Sequence, residues 1–338
     1  MITLDIDRED TVICLKKFGI TESVKEWVLL ADGPDHPVPY DVIRKIIYVE
    51  LENFKKYIVK FVREPVFTTE IIEKQCAFSD LLMAEGMDTP KRVQKNGRYC
   101  IFYEKENLKM DVYIEEWVGE KISHLTLELY EQVGAVIGKI HRISTAADFK
   151  IGFSLLYNEI TERDTSFSRL WSDGNQRIIP EDAYAAILQI YNRRLGIIKK
   201  VWPLLPRGAV QADIYSCNNI AVRNGGLAVY DFNLAGDEVL IGDILQCWFR
   251  TIFDEKIEDD IRMLSIDKMW SVFIKAYQKE RKLTDIEKKH LPDVYAILGT
   301  VYYTKLLNYW MITGKRQRAK KKYRYLFELL NTEVLPLE

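Results

Sequence analysis

The sequence predicts an α+β fold with two lobes, a small lobe built on a mixed β-sheet and a mostly helical second lobe. Runs rich in β-branched and aromatic residues at 46–51 and 56–62 flank a polar turn, and they predict a β-ribbon. After Gly119, apolar residues recur at helical spacing through most of the remaining chain. We therefore expect a first lobe at residues 1–118 and a second lobe at residues 119–338.

One main helix is predicted in the first lobe, directly after the β-ribbon. Thr68 or Thr69 is suited to cap its N-terminus, and Gly86 is suited to end it. Between these residues apolar side chains recur at helical spacing, at Ile71, Ile72, Cys76, Phe78, Leu81 and Leu82. Strands are predicted again at 99–103 and 110–117.

A β-rich segment at residues 208–240 interrupts the helical patterns of the second lobe. Within it, Asn224-Gly225 predicts the tight turn of a hairpin that joins residues 220–222 to residues 227–230. Helices are predicted at residues 125–143, 180–202, 261–279, 286–312 and 320–330.

The composition is that of a soluble globular protein. Hydrophobic residues make up 48% of the chain, and the net charge of −2 excludes a whole-protein electrostatic attraction to nucleic acid or anionic membrane. The five cysteines form no CxxC pair, and no apolar run reaches the ~18–20 residues that span a bilayer. We expect a cytoplasmic protein with neither a nucleic-acid nor a membrane partner.

Three polar residues around the predicted hairpin carry the candidate chemistry. Asp213 follows a short apolar strand, Asn218 lies just before the next strand, and Asp231 ends the return strand. If the hairpin forms, Asn218 and Asp231 face each other at its open end, and Asp213 lies over them. Carboxylate and amide oxygens suit Mg²⁺, and a second carboxylate can accept a proton from an attacking hydroxyl. The pattern therefore predicts Asn218 and Asp231 as metal ligands and Asp213 as the base of a phosphoryl transfer.

Phosphoryl transfer also requires a cation on the phosphates of the nucleotide, and Lys60 is the candidate. This lysine lies in a predicted strand between residues of buried type. The helix that follows offers Glu73 as an ion-pair partner. The spacing leaves Glu70 and Gln75 open as alternatives.

The segment around these residues resembles the aminoglycoside phosphotransferase family of the protein-kinase-like fold, which also includes choline and homoserine kinases. The catalytic loop of that family reads His-Gly-Asp-x-x-x-x-Asn. The stretch from Gln211 through Asp213 to Asn218 is similar, with the His and the Gly replaced. The metal-binding Asp-Phe-Gly of the family resembles Asp231-Phe232-Asn233.

Two further positions extend the resemblance. Asp243 is similar to the aspartate that holds the family's catalytic loop by hydrogen bonds. The segment before Gly119 would be the interlobe hinge, whose backbone groups bind adenine. By the resemblance, either Glu115 and Trp117 or Glu116 and Val118 would supply those groups.

The resemblance implies a two-lobed protein-kinase-like fold whose first lobe binds ATP with Mg²⁺, and a phosphotransferase acting on a hydroxyl of a small molecule. Two alternatives stay open, a protein Ser/Thr kinase of the same fold and a nucleotide-binding protein without turnover. The second alternative is favoured by Gln211 in place of the family's His, by Asn233 in place of Gly, and by the lack of a glycine-rich loop before Lys60.

Two charge runs indicate acceptors of opposite kinds. The acidic run at residues 254–260 would attract a cationic substrate such as an aminoglycoside, and the basic run at residues 315–322 would hold an anionic substrate or RNA. Runs of this kind are more often solvated helix faces. The acceptor therefore stays open.

Overall fold

The computed structural model describes residues 4–33, 42–156, 160, 178–223, 225–333 and 337, with the side chains of residues 259, 260 and 262 left out. The chain forms two compact units. The first combines Met1–Glu120 with Ile220–Asn233, and the second combines Lys121–Asn219 with Leu234–Glu338. The predicted hairpin therefore packs as part of the first unit, although the boundary expected at residue 119 assigned it to the second lobe.

The first unit is built on a sheet of five strands in the order β1-β2-β3-β5-β4, and all four strand pairings are antiparallel. The strands are β1 Val24–Asp32, β2 Ile43–Leu51, β3 Lys56–Arg63, β4 Ile101–Lys105 and β5 Leu108–Glu116. The predicted β-ribbon corresponds to β2 and β3. These central strands are buried along most of their length, which agrees with their content of β-branched and aromatic residues.

Helix α1 (Arg8–Lys17) begins with a capping box, in which the side chains of Asp7 and Asp10 each accept a hydrogen bond from the other's backbone N–H. Its buried residues Cys14 and Leu15 pack into the same apolar cluster as sheet residues such as Ile47. Neither α1 nor β1 is predicted from the sequence. Helix α1 lacks a clear signal because it is polar along most of its length.

Helix α2 (Thr69–Ala84) confirms the predicted main helix of the first unit. Its N-cap is Thr68, whose hydroxyl accepts a hydrogen bond from the Ile71 N–H at 3.4 Å. The helix ends just before Gly86, which has φ +76°.

The hairpin of the first unit consists of β7 (Ile220–Arg223) and β8 (Gly226–Val229), as predicted, although Asn224 of its turn lies outside the described residues. It is joined to the rest of the unit by Asp88. The Asp88 carbonyl accepts a hydrogen bond from the Val229 N–H at 2.9 Å, and the Asp88 carboxylate accepts one from Arg223 Nε at 2.8 Å.

The second unit is mostly helical. Its long helices are α3 Leu127–Ala146, α4 Glu181–Val201, α5 Leu240–Ile252, α7 Ile266–Glu280 and α8 Asp285–Ile312, and its short helices are α6 Glu258–Leu264, α9 Arg316–Lys322 and α10 Tyr325–Leu330. Strand β6 (Arg207–Val210) pairs antiparallel with β9 (Gly236–Val239). No helix in the described part of the chain is both long and apolar enough to cross a bilayer.

Helices α3 and α7 approach each other at two glycines of α3. A Cβ atom on Gly138 would lie 2.7 Å from the Tyr277 carbonyl oxygen, and one on Gly134 would overlap the carbonyl oxygen of Phe273. Since the atoms that would be struck belong to a helix backbone, they cannot move aside as a flexible side chain could. Glycine at these two positions therefore sets the distance between the helices.

We predict that Gly134→Ala lowers the free energy of unfolding by about 1–3 kcal/mol or more, because the added methyl group overpacks the α3–α7 contact. Urea unfolding followed by circular dichroism measures this change. The matched control is Gly196→Ala on α4, where a Cβ meets nothing within 4 Å and alanine is the better helix former. Equal effects of the two substitutions would contradict this account of the contact.

Candidate active site

Lys60 is a buried lysine in the centre of the first unit. It lies on β3 and is 3% exposed, and its Nζ is 2.7 Å from Asp231 Oδ1 and 3.1 Å from Glu115 Oε1. Burial alone would lower the pKa of Lys60, but the carboxylates of Asp231 and Glu115 outweigh it and raise the pKa above its usual value. The ammonium therefore stays charged inside the unit.

Asp231 follows β8 with a left-handed backbone, φ +55°, a conformation that is costly for a residue other than glycine. Its Oδ2 lies 3.9 Å from Arg44 Nη2 of β2. Burial raises the pKa of Asp231, but Lys60 and Arg44 lower it by more, so that the pKa lies below its usual value. Asp231 is thus an ionised carboxylate held between two cations.

The predicted pairing of Lys60 with Glu73 is wrong. Glu73 on α2 accepts hydrogen bonds from the backbone N–H groups of Tyr99 at 3.1 Å and Cys100 at 2.9 Å, and it pairs with Arg98 at 3.3 Å. These amides lie just before β4, outside the sheet pairing, so the carboxylate satisfies donors that no strand satisfies.

The two alternatives for the Lys60 partner have other contacts in the structure. Glu70 pairs with Lys74 at 3.0 Å, one turn along α2. Gln75 donates a hydrogen bond to the Asn233 carbonyl at 2.9 Å.

Glu115, on β5, is the partner that replaces Glu73. It is 3% exposed and lies opposite Ile58 in the β3–β5 register, where its side chain reaches both Lys60 and the buried guanidinium of Arg92. Glu115 therefore acts through its carboxylate, whereas the resemblance implied a role for its backbone. Arg92 is a functional candidate that the sequence reasoning missed. No local signal marks Arg92, because it lies outside the strands and its backbone pairs with Glu115 only through an isolated β-bridge.

A cavity of about 190 Å³ opens beside Lys60 and Asp231 in the first unit. Its apolar walls are formed by Leu30, Ile46, Ile58, Pro90, Val118 and Tyr230. The Trp117 N–H already donates to the Lys56 carbonyl at 3.0 Å, which removes Trp117 as a backbone donor. The Val118 N–H makes no backbone hydrogen bond within the described ranges. Of the two hinge alternatives, Glu116 with Val118 is therefore the one that the geometry favours.

Arg44 stands next to this cavity in a second, narrower recess, which it lines together with Lys60, Gln75 and Asn233. The side-chain oxygen of Asn233 is buried and has no hydrogen-bond partner among the described residues. The sequence reasoning did not select Arg44, because its approach to Asp231 joins residues that are far apart in the chain.

Asp213 is the centre of a polar cluster in the second unit. Its Oδ1 lies 2.5 Å from Arg250 Nη1 of α5. Its Oδ2 accepts hydrogen bonds from Asn219 Nδ2 at 2.6 Å and from Asn218 Nδ2 at 3.3 Å. The structure thus brings Asp213 and Asn218 together as predicted, and it adds Asn219 and Arg250, which the sequence reasoning missed.

The loop that carries Asp213 is held by two glutamines. Gln211 Oε1 accepts a hydrogen bond from the Asp213 N–H at 2.7 Å, and Gln246 Nε2 donates to the Ala212 carbonyl. Ala212 itself has φ +65°, so the loop carries backbone strain that these contacts must offset. Gln211 is therefore a structural support even though it replaces the family's His.

Asp243 supports the loop less directly than the resemblance implied. Its Oδ2 lies 2.9 Å from His141 Nε2, and the other ring nitrogen of His141 lies 3.0 Å from the Tyr277 hydroxyl. In the described part of the chain, α5 contacts the loop through Gln246, Arg250 and Thr251 instead. Asp243 lies about one turn before Gln246 on α5, and its carboxylate contacts His141 rather than the loop.

Some residues of the acidic and basic runs form ion pairs with one another. Glu255 contacts Lys315 at 2.6 Å and also Arg318 and Trp310. Glu258 contacts Arg318 at 2.6 Å. Glu255 and Glu258 therefore form ion pairs with Lys315 and Arg318, whereas Lys320, Lys321 and Lys322 of the basic run are exposed. The four paired residues are not available to select an acceptor.

The predicted metal ligands belong to separate units, Asn218 to the second and Asp231 to the first. No group of three or more His, Cys, Asp or Glu side chains that could hold a metal occurs within the described ranges. That Asn218 and Asp231 converge on one divalent cation, with Asp213 and Lys60 nearby, stays a prediction.

No protein-family model matches the sequence, and no curated protein matches it significantly. Solved structures are similar to it over most of their length. Amicoumacin kinase, in complex with AMP-PNP, Ca²⁺ and its ligand, is 17% identical over 94% of each chain with a TM-score of 0.65. The chain has the protein-kinase-like fold. A microcompartment-associated aminopropanol kinase is 15% identical over 96% of this chain and 100% of the other, with a TM-score of 0.62.

A third structure with this protein-kinase-like fold is an aminoglycoside phosphotransferase from Alicyclobacillus acidocaldarius. It is 11% identical over 89% of this chain and 90% of the other, with a TM-score of 0.58. The two-lobed α+β fold class predicted from the sequence is thus confirmed, and the resemblance carried by Asp213, Asn218 and Asp231 is confirmed at the level of the fold.

We predict that Arg250→Met lowers the free energy of unfolding by about 3–5 kcal/mol, because it leaves the part-buried Asp213 carboxylate without its cation. In a double-mutant cycle, Asp213→Asn combined with Arg250→Met should cost less than the sum of the single changes. Urea unfolding of the four proteins measures this coupling.

The matched control for Arg250→Met is Arg142→Met. Arg142 forms an ion pair with Glu280, and its side chain is 50% exposed. An exposed pair contributes only about 0.2–1 kcal/mol. Additive effects of the Asp213 and Arg250 substitutions would show that the two side chains do not interact.

Proposed function

We propose that this protein is an ATP- and Mg²⁺-dependent phosphotransferase that transfers the γ-phosphate of ATP to a hydroxyl group of a small molecule. The observation that supports this function most directly is the buried Lys60–Asp231 contact of 2.7 Å beside an apolar cavity. A charged lysine and an ionised aspartate at one end of an apolar cavity suit a ligand with a flat apolar part and an anionic tail.

In this proposal the adenine lies in the 190 Å³ cavity of the first unit. The Val118 N–H donates to the base, and the Glu116 carbonyl accepts from its amino group. Lys60 neutralises the α and β phosphates, and its position is held by Glu115 rather than by Glu73. The apolar walls exclude water from the base, which favours these two hydrogen bonds.

The residues present fit a hard divalent cation. Asp231 stays ionised, because Lys60 and Arg44 keep its pKa low, and the buried Asn233 side-chain oxygen has no hydrogen-bond partner within the described residues. Oxygen ligands of these two kinds are those that Mg²⁺ takes. We propose Asp231 and Asn218 as its ligands, with Asn233 as a further oxygen. When bound, Mg²⁺ would neutralise charge on the phosphates of the nucleotide.

Asp213 is the proposed base of the reaction. The acceptor oxygen forms a bond to the γ-phosphorus, the bond between this phosphorus and the bridging oxygen of ADP breaks, and the hydroxyl proton passes to the Asp213 carboxylate. Arg250 and Asn219 fix the orientation of that carboxylate. Its part in catalysis is therefore mainly to orient the hydroxyl and to receive its proton.

We predict that Asp231→Asn weakens binding of ATP in the presence of Mg²⁺ by about tenfold or more, because the metal loses a charged ligand. Asp213→Asn should preserve this binding but lower kcat by about 10²–10⁴-fold, because only the base is lost. Calorimetric titration with ATP and Mg²⁺ and a coupled ADP-release assay with a panel of alcohols measure the two effects.

Circular dichroism of both variants controls for misfolding. A wild-type protein that fails to bind ATP with Mg²⁺ would refute the proposed function. Binding without any turnover that depends on Asp213 would instead favour a nucleotide-binding protein without catalysis.

Arg44 is proposed to bind the nucleotide phosphates from the side where the family has a glycine-rich loop. Strand β2 contains no glycine, and its Arg44 guanidinium lies 3.9 Å from the Asp231 carboxylate and lines a recess with Lys60. A guanidinium presents several donors that match phosphate oxygens.

We predict that Arg44→Met weakens ATP binding by about tenfold, the loss expected for charge-assisted hydrogen bonds, and leaves adenosine binding unchanged. Arg44→Lys should restore part of the affinity. Calorimetric titration with both ligands tests this, with Lys16→Met on α1 as the control for the loss of one positive charge. A parallel loss of adenosine affinity would mean that Arg44 supports the fold rather than the phosphates.

A further inference from the structure

A cavity of about 380 Å³ lies in the second unit beside the loop that carries Asp213. One wall is formed by that loop, including Tyr215 and Asn218. The rest of the lining includes Lys121 and the segment that contains Asp254 and Lys256. Its volume lies in the range of small-molecule sites, and its position beside the proposed base suits an acceptor.

The groups in this cavity that could hold a cation are already engaged by the protein itself. The Asp254 carboxylate accepts a hydrogen bond from the Ser216 hydroxyl at 3.1 Å and another from the Lys256 N–H at 2.9 Å. The Tyr215 ring is covered by the Arg250 guanidinium, whose central carbon lies 3.8 Å from the ring centre. A ligand ammonium would have to compete with Ser216 and Lys256 for the Asp254 carboxylate, or with Arg250 for the Tyr215 ring.

The positive groups of the cavity are less engaged. The Lys256 side chain forms no ion pair with any described residue and is exposed. Lys121 Nζ makes one weak contact, with Asn218 Oδ1 at 3.4 Å. With two lysines against one aspartate, the described lining has a net positive formal charge.

We propose that this cavity binds the phosphate acceptor and that the acceptor carries an anionic group, a carboxylate or a phosphate, which the ammonium groups of Lys256 and Lys121 recognise. This inference rests on the proposed function. The proposed acceptor differs from that of the structurally similar aminopropanol kinase, since aminopropanol is an amino alcohol. The charge that remains after the protein's own pairing selects against such a cation.

The test uses the full-length protein and alcohols matched in chain length. Calorimetric titration without nucleotide compares 4-hydroxybutyrate with 4-aminobutanol and with butane-1,4-diol, and glycerol 3-phosphate provides the phosphate arm. We expect at least one anionic compound to bind about tenfold more tightly than the amine. The preferred anion distinguishes a carboxylate acceptor from a phosphate acceptor.

Lys256→Glu should reduce the preference for the anion over the amine by about fivefold or more, because the change reverses one charge at the cavity. Lys121→Gln provides a second variant with the same direction of effect. The matched control is Lys200→Glu on α4, which makes the same charge change at an exposed site away from the cavity lining. It should leave the preference unchanged.

Stronger binding of the amine, equal binding of the neutral diol, or no binding of either anion would overturn the inference. So would an equal effect of Lys200→Glu and Lys256→Glu. Titration of the same samples with ATP and Mg²⁺ tests the proposed function separately. Anion binding by a protein that does not bind ATP would refute the proposed phosphotransferase and support the anion site. ATP-dependent turnover of the amine would support the phosphotransferase and refute the anion site.

Discussion

The first unit depends on keeping one ammonium group charged where water does not reach it. Removing a charge from water costs several kcal/mol unless opposite charges replace the water, and Lys60 finds those charges on Glu115 and Asp231. One carboxylate comes from the neighbouring strand and the other from a segment more than 100 residues later in the chain. The hairpin segment Ile220–Asn233, which packs in the same unit as the sheet, brings that aspartate to the lysine.

The source of the carboxylate decides which element positions the lysine. Glu115 lies on β5, which is hydrogen-bonded to β3 along most of its length, so the Lys60–Glu115 geometry is set by the register of a sheet. Glu73 on α2 instead satisfies backbone donors before β4. The contacts of Glu73 therefore lie at the edge of the sheet, whereas the Lys60–Glu115 pair lies within it. In this protein Lys60 is positioned by strands rather than by a helix.

The sequence predicted those features whose signals are local. The β2–β3 ribbon, the Thr68 cap of α2 and the β7–β8 hairpin each follow from residues within a few positions of one another. The partner of Lys60 could not be predicted, since it depends on the register between strands that are about 50 residues apart. The contact of Arg250 with Asp213 depends likewise on how α5 packs against a distant loop. Helix α1 was missed because the sheet, and not its own periodicity, determines which of its residues are buried.

The charge that a site presents could not be predicted from charged runs in the sequence. Residues 254–260 and 315–322 read as an acidic and a basic surface, yet Glu255 and Glu258 fold against Lys315 and Arg318. Such pairing removes these four residues from the charges that could attract an acceptor. Near the Asp213 loop lies Lys256, whose side chain forms no ion pair with a described residue. The neighbouring Asp254 carboxylate accepts hydrogen bonds from Ser216 and from the Lys256 N–H. The electrostatic character of the cavity is therefore that of the unpaired remainder. Because this remainder is positive, the cavity would stabilise an anionic group more than a cationic one.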